Sequence, residues 1–209
     1  MSRELGLFPL PLVLVPTERI PLHVFEQRYK ELVEECLRDD AEFGLVLEQE
    51  DGLAATGTRA AVTELLERLP DGRLNVVVEG RERFRIVELT RGRSFRTAVV
   101  EPVEDEDDEP GPDEVEEALE VFRRLVRLTG SEVDEPSAGS PALAFELAAR
   151  VSFGNELKQE LLELSSPRER TLRVSELLGL AADALELEAA VRARAGGNGK
   201  VTPPEPGST

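Results

Sequence analysis

Leu7-Phe-Pro-Leu-Pro-Leu-Val-Leu-Val-Pro16, resumed at Ile20 as Ile-Pro-Leu-His-Val-Phe-Glu-Gln-Arg-Tyr29, is the stretch that decides how this 209-residue chain is read. It joins an apolar, proline-punctuated run to the first turn of an amphipathic segment. Pro9, Pro11, Pro16 and Pro21 donate no backbone hydrogen bond, so the run cannot be a regular central strand throughout. The expectation is an edge strand, then an extended crossing, then a helix. Phe25, Tyr29, Leu32, Val33, Cys36 and Leu37 recur at i, i+4, i+7, i+8, i+11 and i+12, one apolar stripe. Glu31, Glu34, Glu35 and Arg38 take the opposite side.

Downstream, short apolar runs alternate with turn signals. Phe43–Leu47 reads as a buried strand. Thr58–Leu66 is set to pair with Leu74–Val78 across Pro70-Asp71-Gly72, because Pro presets φ and Gly accepts φ > 0. A second hairpin is expected from Arg83–Leu89 and Phe95–Val100, turning through Arg91-Gly92-Arg93. Phe84 and Ile86 alternate with Arg83, Arg85 and Val87, one buried face against a largely polar one. Strands at this spacing suit a small barrel or sandwich.

Glu104–Glu109 is an unbroken acidic hexapeptide followed by Pro110-Gly111-Pro112. Charge repulsion and the Pro/Gly content make it a linker. The division expected is a β-rich domain over 1–103, the linker over 104–112, an α-helical bundle over 113–195 and a disordered tail over 196–209. Val115, Ala118, Leu119, Phe122, Leu125 and Val126 form one helical stripe. Leu143, Leu147 and Val151 form a second, after Ser140-Pro141, and Asn155 is placed to cap a third carrying Leu157, Leu161 and Leu162. Ser166-Pro-Arg-Glu169 combines an N-cap, a proline at the first helical position and a capping-box Glu. The helix it starts is expected to reach about Arg194, with a soft point at Gly179. Ser131–Ser140 reads as a polar loop.

The bulk properties narrow function. Aromatic content is 4% with no Trp, so Leu and Val carry the core. The formal charge of −18 disfavours a nucleic-acid surface spread over the molecule. Eleven acidic residues fall within Glu101–Glu117, which leaves 32 acidic against 25 basic elsewhere, about −7. A single cysteine rules out an intrachain disulfide. The N-terminal apolar run is too proline-rich, and lacks a small-residue cleavage site, for a secretory signal. No stretch approaches the ~20 apolar residues of a membrane span. A cytoplasmic location is the expectation.

Gly57-Thr-Arg-Ala-Ala-Val62 and Leu69-Pro-Asp-Gly-Arg-Leu-Asn-Val-Val-Val-Glu-Gly-Arg-Glu-Arg-Phe-Arg-Ile86 together resemble a known pattern. It is a G-T-x-A-x-V strand, a turn, an apolar strand ending in x-G-x-x-R-F, and the strand that follows. In physical terms this is a hairpin, a tight bend at Gly80, and Phe84 entering the core. With the Leu7–Tyr29 opening and the Ser166-Pro-Arg-Glu-Arg helix start, the chain resembles the LON substrate-binding domain over roughly residues 5 to 190. That resemblance implies an α+β fold: a PUA-like β pseudo-barrel with one inserted helix, then a C-terminal helical bundle. It also implies recognition of polypeptide substrates or a partner protein, as an adaptor or holdase, with no cofactor. Gly199-Lys200 is followed by Val201, and Arg194 stands five residues before Gly199, so no Gly-x-x-x-x-Gly-Lys-Ser/Thr phosphate loop is present. Nothing resembles a Ser-Lys protease region. The expectation is a non-catalytic module, any peptidase name being inherited from the family.

Site candidates follow from composition. Phe8, Phe25 and Tyr29 are candidates to line an apolar groove for unfolded peptide, with the core as their competing destination. Arg73, Arg81, Arg83, Arg85, Arg93 and Arg96, with Arg91, lie in a stretch of net charge +4. Three readings attach to it: a solvated strand face, an RNA-contacting hairpin, or a basic face on which the acidic linker folds back. His23 and Glu26 form His-x-x-Glu, but a metal site needs further ligands. Cys36 lies on the apolar stripe, a core position. No catalytic or metal-binding residue is assigned.

Overall fold

The computed structural model describes residues 3–197; the rest of the expected tail, 198–209, lies outside the described residues. The chain runs β1 (Arg3–Leu10), β2 (Arg19–Val24), α1 (Gln27–Asp39), β3 (Glu42–Gln49), β4 (Gly52–Leu53), β5 (Thr56–Arg68), β6 (Leu74–Thr90), β7 (Arg96–Pro102). Helices α2 (Pro112–Thr129), α3 (Leu143–Ala149), α4 (Asn155–Glu163) and α5 (Pro167–Gly197) follow. It is a mixed fold, with a strand-rich sheet and five helices, one of them inserted among the strands.

Strand pairing returns on itself. β1 pairs antiparallel with β7 and parallel with β3, while β7–β6–β5–β3 are joined antiparallel, so five strands close a ring. β1 is therefore interior, which corrects the edge-strand expectation. The reason lies in its stagger: β7 pairs Arg3–Leu7 and β3 pairs Leu7–Leu10, so Pro9 falls where only one neighbour is paired. The proline-bearing edge strand is β2, hydrogen-bonded to β6 alone, with Pro21 opposite Val77; the two-residue β4 is likewise paired with β3 alone.

The crossing from Pro11 to Glu18 makes no ladder, and side chains meet four of its polar backbone groups between Pro11 and Val15. Asn155 Nδ2 donates to the Pro11 carbonyl and its Oδ1 accepts from Val13 N–H. Thr58 Oγ1 donates to the Leu14 carbonyl at 2.6 Å, and Glu18 accepts from Val15 N–H. Asn155 is thus a clip for this loop, and the cap position of α4 falls to Gly154.

Both expected hairpins form, with Val62 opposite Val78 and Ile86 opposite Val100. The bend expected at Gly80 does not: β6 runs unbroken for 17 residues. Gly80 instead allows a backbone to pass, since a Cβ there would sit 2.2 Å from the Val15 carbonyl oxygen. Gly80 N–H donates to Glu18 O and its carbonyl accepts from Thr17 N–H. Phe84 is fully buried, and its ring fills the space above Gly44 and Gly57, where a Cβ would come within 2.7 Å of it.

One core lies between α1 and the sheet, around Tyr29, Leu32, Val33, Leu74, Val76 and Val78. A second gathers α2, α3, α4 and α5 together with Val13 and Val15 of the crossing. At α5, Ser166 Oγ accepts from Glu169 N–H as an N-cap should, and the helix passes Gly179 without a break. Among the described residues, no helix is long and apolar enough to cross a membrane.

Candidate functional site

The three candidate aromatics part company. Phe8 and Tyr29 are core residues, stacked at 4.1 Å between centroids, and burial pushes the Tyr29 hydroxyl pKa up. Phe25 precedes α1 instead of joining its stripe, and is 61% exposed. Its ring lies 6.1 Å from that of His23, the last-but-one residue of β2.

His23 leads into an open groove of about 590 Å³ lined by Pro21, Leu22, His23, Leu66, Glu67 and Asn75. The groove exists because the β5–β6 hairpin outgrows its neighbour. β3 pairs β5 only through Ala61, and beyond it two register shifts, at Val62/Glu64 and Leu65/Glu67, interrupt the alternation of side chains. Leu65 and Leu66 are both left exposed, at 41% and 52%. A polar line crosses the three strands beneath: His23 Nδ1 lies 2.6 Å from Asn75 Oδ1, and Asn75 Nδ2 donates to Glu67 Oε2. Pro21 removes a donor from the middle of the outer strand, so an incoming chain cannot add there as a complete strand. What the arrangement offers is apolar contact: Pro21, Leu22 and Leu66 line a shallow trough, with the Phe25 ring beside it next to His23.

The arginines do not make one basic face. Arg73 is paired with Asp71, Arg81 with Glu79 and Arg93 with Glu35, while Arg85 and Arg96 lie 3.9 Å from Glu101 and Glu48. Arg83 is buried. Its guanidinium donates to the carbonyls of Leu162 and Leu164 and pairs with Asp105. Arg170, 1% exposed, takes the other Asp105 oxygen at 2.8 Å and packs 4.3 Å from the Phe145 centroid. Burial, helped by the adjacent Arg170 and opposed by Asp105, pushes the Arg83 pKa down to about 10.

Asp105 belongs to the acidic segment, which is tied along the start of α5. Glu106 accepts from Ser165 Oγ, Ser166 Oγ donates to Asp108, and Arg168 N–H donates to the Asp108 carbonyl. The segment reaches the arginine stretch at Arg83 through Asp105, while most of its bonds go to residues 164–170; Glu101, beside Arg85, belongs to β7.

Little points to catalysis. Cys36 is buried under α1, and desolvation with nearby carboxylates pushes its thiol pKa up to about 11, the wrong direction for a nucleophile. Among the described residues no group of three or more His, Cys, Asp or Glu side chains could hold a metal ion. His23 is engaged with Asn75 and Glu26 with Arg28.

Leu65, Leu66 and Asn75 were not singled out from sequence. The signal was available in the adjacent leucines: strict alternation forces one of such a pair outward. Arg170 and Asp105 meet across 65 residues, and no local pattern announces that contact.

Residues 4–179 match the family model of the ATP-dependent protease La (LON) substrate-binding domain. Lon protease 2 of Myxococcus xanthus is 33% identical over 84% of this chain, which spans 23% of that protein. Lon protease 1 of Hydrogenovibrio crunogenus is 27% identical over 87% of the chain, again with 24% of its own length matched. The chain thus spans about a quarter of the curated relatives it matches. The crystal structure of a Lon N-terminal domain protein from Xanthomonas campestris superposes with a TM-score of 0.64 at 30% identity, covering 80% of this chain and 94% of that one. The N-terminal domain of a Mycobacterium avium complex Lon protease shares the fold, with a TM-score of 0.61 at 18% identity. With most of its length matched by that model, this chain belongs to the LON substrate-binding domain family.

Proposed function

We propose that this protein recognises unfolded polypeptide without catalysing a reaction on it, and that the groove beside Phe25 is where it does so. The observation that carries this reading is uncovered apolar surface at the groove: exposed Leu66 lines it with Pro21, Leu22 and His23, and exposed Phe25 stands beside it, its ring 6.1 Å from that of His23. Large apolar side chains clustered on a surface mark interaction sites. The family match supports the same direction, since its model is a substrate-binding domain. The closed ring of strands with α1 inserted supports reading the β-rich part as a PUA-like pseudo-barrel, with α2–α5 as the helical bundle. Work as an adaptor or holdase in the cytoplasm completes the proposal.

The test is fluorescence anisotropy with a labelled, permanently unfolded polypeptide, such as a reduced and carboxymethylated small protein. The expected result is saturable binding that weakens about tenfold or more in a Phe25→Ser/Leu66→Ser double variant, the loss typical of truncating two apolar anchors. Undiminished binding by that variant would move the site elsewhere.

A further inference from the structure

Resting on that reading, we propose that the groove selects apolar segments flanked by lysine or arginine. The centre of the site is apolar and its rim is acidic. Glu67 lines the groove, with one carboxylate oxygen accepting from Asn75 Nδ2. Glu64, one residue before the exposed Leu65–Leu66 pair, is also exposed. Among the described residues, neither Glu64 nor Glu67 takes part in an ion pair. Nearby, Arg19 lies 3.9 Å from Glu79, Arg68 pairs with Glu34, Arg73 with Asp71 and Arg28 with Glu26, while Lys30 reaches the Asp71 carbonyl at the hairpin tip. Among the residues that line the groove the one carboxylate is Glu67 and there is no Lys or Arg, so the charge a seated ligand meets is negative.

Geometry adds to this. Because Pro21 interrupts the outer edge of β2, an extended ligand cannot be held by a full backbone ladder. Side chains must supply the affinity, a bulky apolar one in the groove and its neighbours against the rim. A cation in either neighbouring position gains attraction to Glu64 or Glu67, and a carboxylate there is repelled. The overall charge of −18 steers cationic segments toward the molecule from a distance, whereas the rim discriminates at contact.

Three labelled twelve-residue peptides with one shared Leu/Phe core, flanked by Lys, Gln or Glu, separate the possibilities by fluorescence anisotropy. The expected order is Lys, then Gln, then Glu, with Lys about three- to tenfold tighter than Gln at low ionic strength, the range two exposed pairs supply. That ratio should shrink toward one at about 0.5 M salt as the charges are screened. A Glu64→Lys/Glu67→Lys variant should reverse the order. Equal binding of all three peptides overturns the charge selection and leaves apolar recognition standing. A Lys preference that survives the double reversal also overturns it, because the preference would then come from net charge alone. Binding of none of the three removes the underlying reading as well.

Discussion

The two halves of β6 are one strand built on opposite terms. Its first half, Leu74–Glu79, is flanked by β5 and by the edge strand β2 and carries α1 on one face; its other face, with β5, opens into the groove. Its second half begins at Arg83, where a guanidinium passes into the helical part and is bonded by two carbonyls and Asp105. At Arg83 the second half turns a charged group inward, buried and paired, whereas the first half buries Leu74, Val76 and Val78 under α1 and borders exposed apolar side chains, Leu66 of β5 and Phe25 after β2. The contrast separates what holds the molecule together from what is left for a partner. Glu18 with Lys158, nearly buried at 2.5 Å, is a second tie of the holding kind.

Of the changes that test β6, breaking the buried pair at Arg83 should have the largest effect. Asp105 is the only carboxylate paired with Arg83 and Arg170 among the described residues, so Asp105→Ala leaves two guanidiniums beside each other in a nearly water-free site. Loss of one member of a fully buried pair costs about 3–5 kcal/mol; the Asp105 side chain is 39% exposed, so about 2–3 kcal/mol is expected here. Urea unfolding followed by circular dichroism measures it. Adding Arg83→Met and Arg170→Met should recover much of the loss, because the uncompensated charge then disappears. Peptide affinity at the groove should not change.

The exposed apolar surface at the groove is less legible in the sequence than the core beneath it, for a physical reason. Alternation and turn chemistry placed both hairpins, the α1 stripe and the α5 start, since these are local. The proline run was legible as irregular, but its neighbours were not: whether a strand is interior depends on partners 35 or more residues away, at β3 and β7. Spacing alone puts Phe25 on the helix stripe, whereas the helix begins two residues after it. Leu65 and Leu66 surface through register shifts that only the pairing reveals. The arginine stretch looked basic because its partners, Glu35, Glu48, Glu101 and Asp105, lie outside it in sequence.

The junction between the halves offers the next test. A methyl group at residue 80 would stand 2.2 Å from the Val15 carbonyl oxygen, which belongs to backbone and cannot rotate away. Gly80→Ala should force the crossing off β6 and cost about 1–3 kcal/mol, the range for overpacking. Unlike Asp105→Ala, it should disturb both halves. Hydrogen exchange would show faster exchange at Thr17 and Gly80, whose N–H groups bond across this contact.

A smaller effect comes from pH, and it belongs to the groove half. Burial raises the pKa of Cys36 to about 11 from an ordinary 9.0, and that of Tyr29 above its ordinary 10.0. Between pH 9 and 11 the unfolded chain therefore loses the Cys36 proton while the folded chain keeps it. Stability is fully present below pH 9 and falls as pH rises through 11. Urea midpoints taken at pH 8, 9 and 10 should decline, and Cys36→Ala should flatten that decline whatever its own cost in packing. Iodoacetamide should label Cys36 slowly in the native protein and quickly once it unfolds.

The smallest expected change in stability is the most informative about function. Phe25→Ser and Leu66→Ser remove side chains that are 61% and 52% exposed, so each should shift the unfolding free energy by no more than about 0.5 kcal/mol. If the groove is a binding surface, the same substitutions weaken unfolded-peptide binding while leaving the urea midpoint where it was. Phe8→Ser provides the control from the buried half of the aromatic set. Its ring is stacked on Tyr29 and near Phe43, so its loss should cost about 3–5 kcal/mol. A destabilising Phe25→Ser would mean that the ring works for the fold, in the manner of Phe8. A stable variant that has lost its peptide would place the two halves of β6 in separate roles.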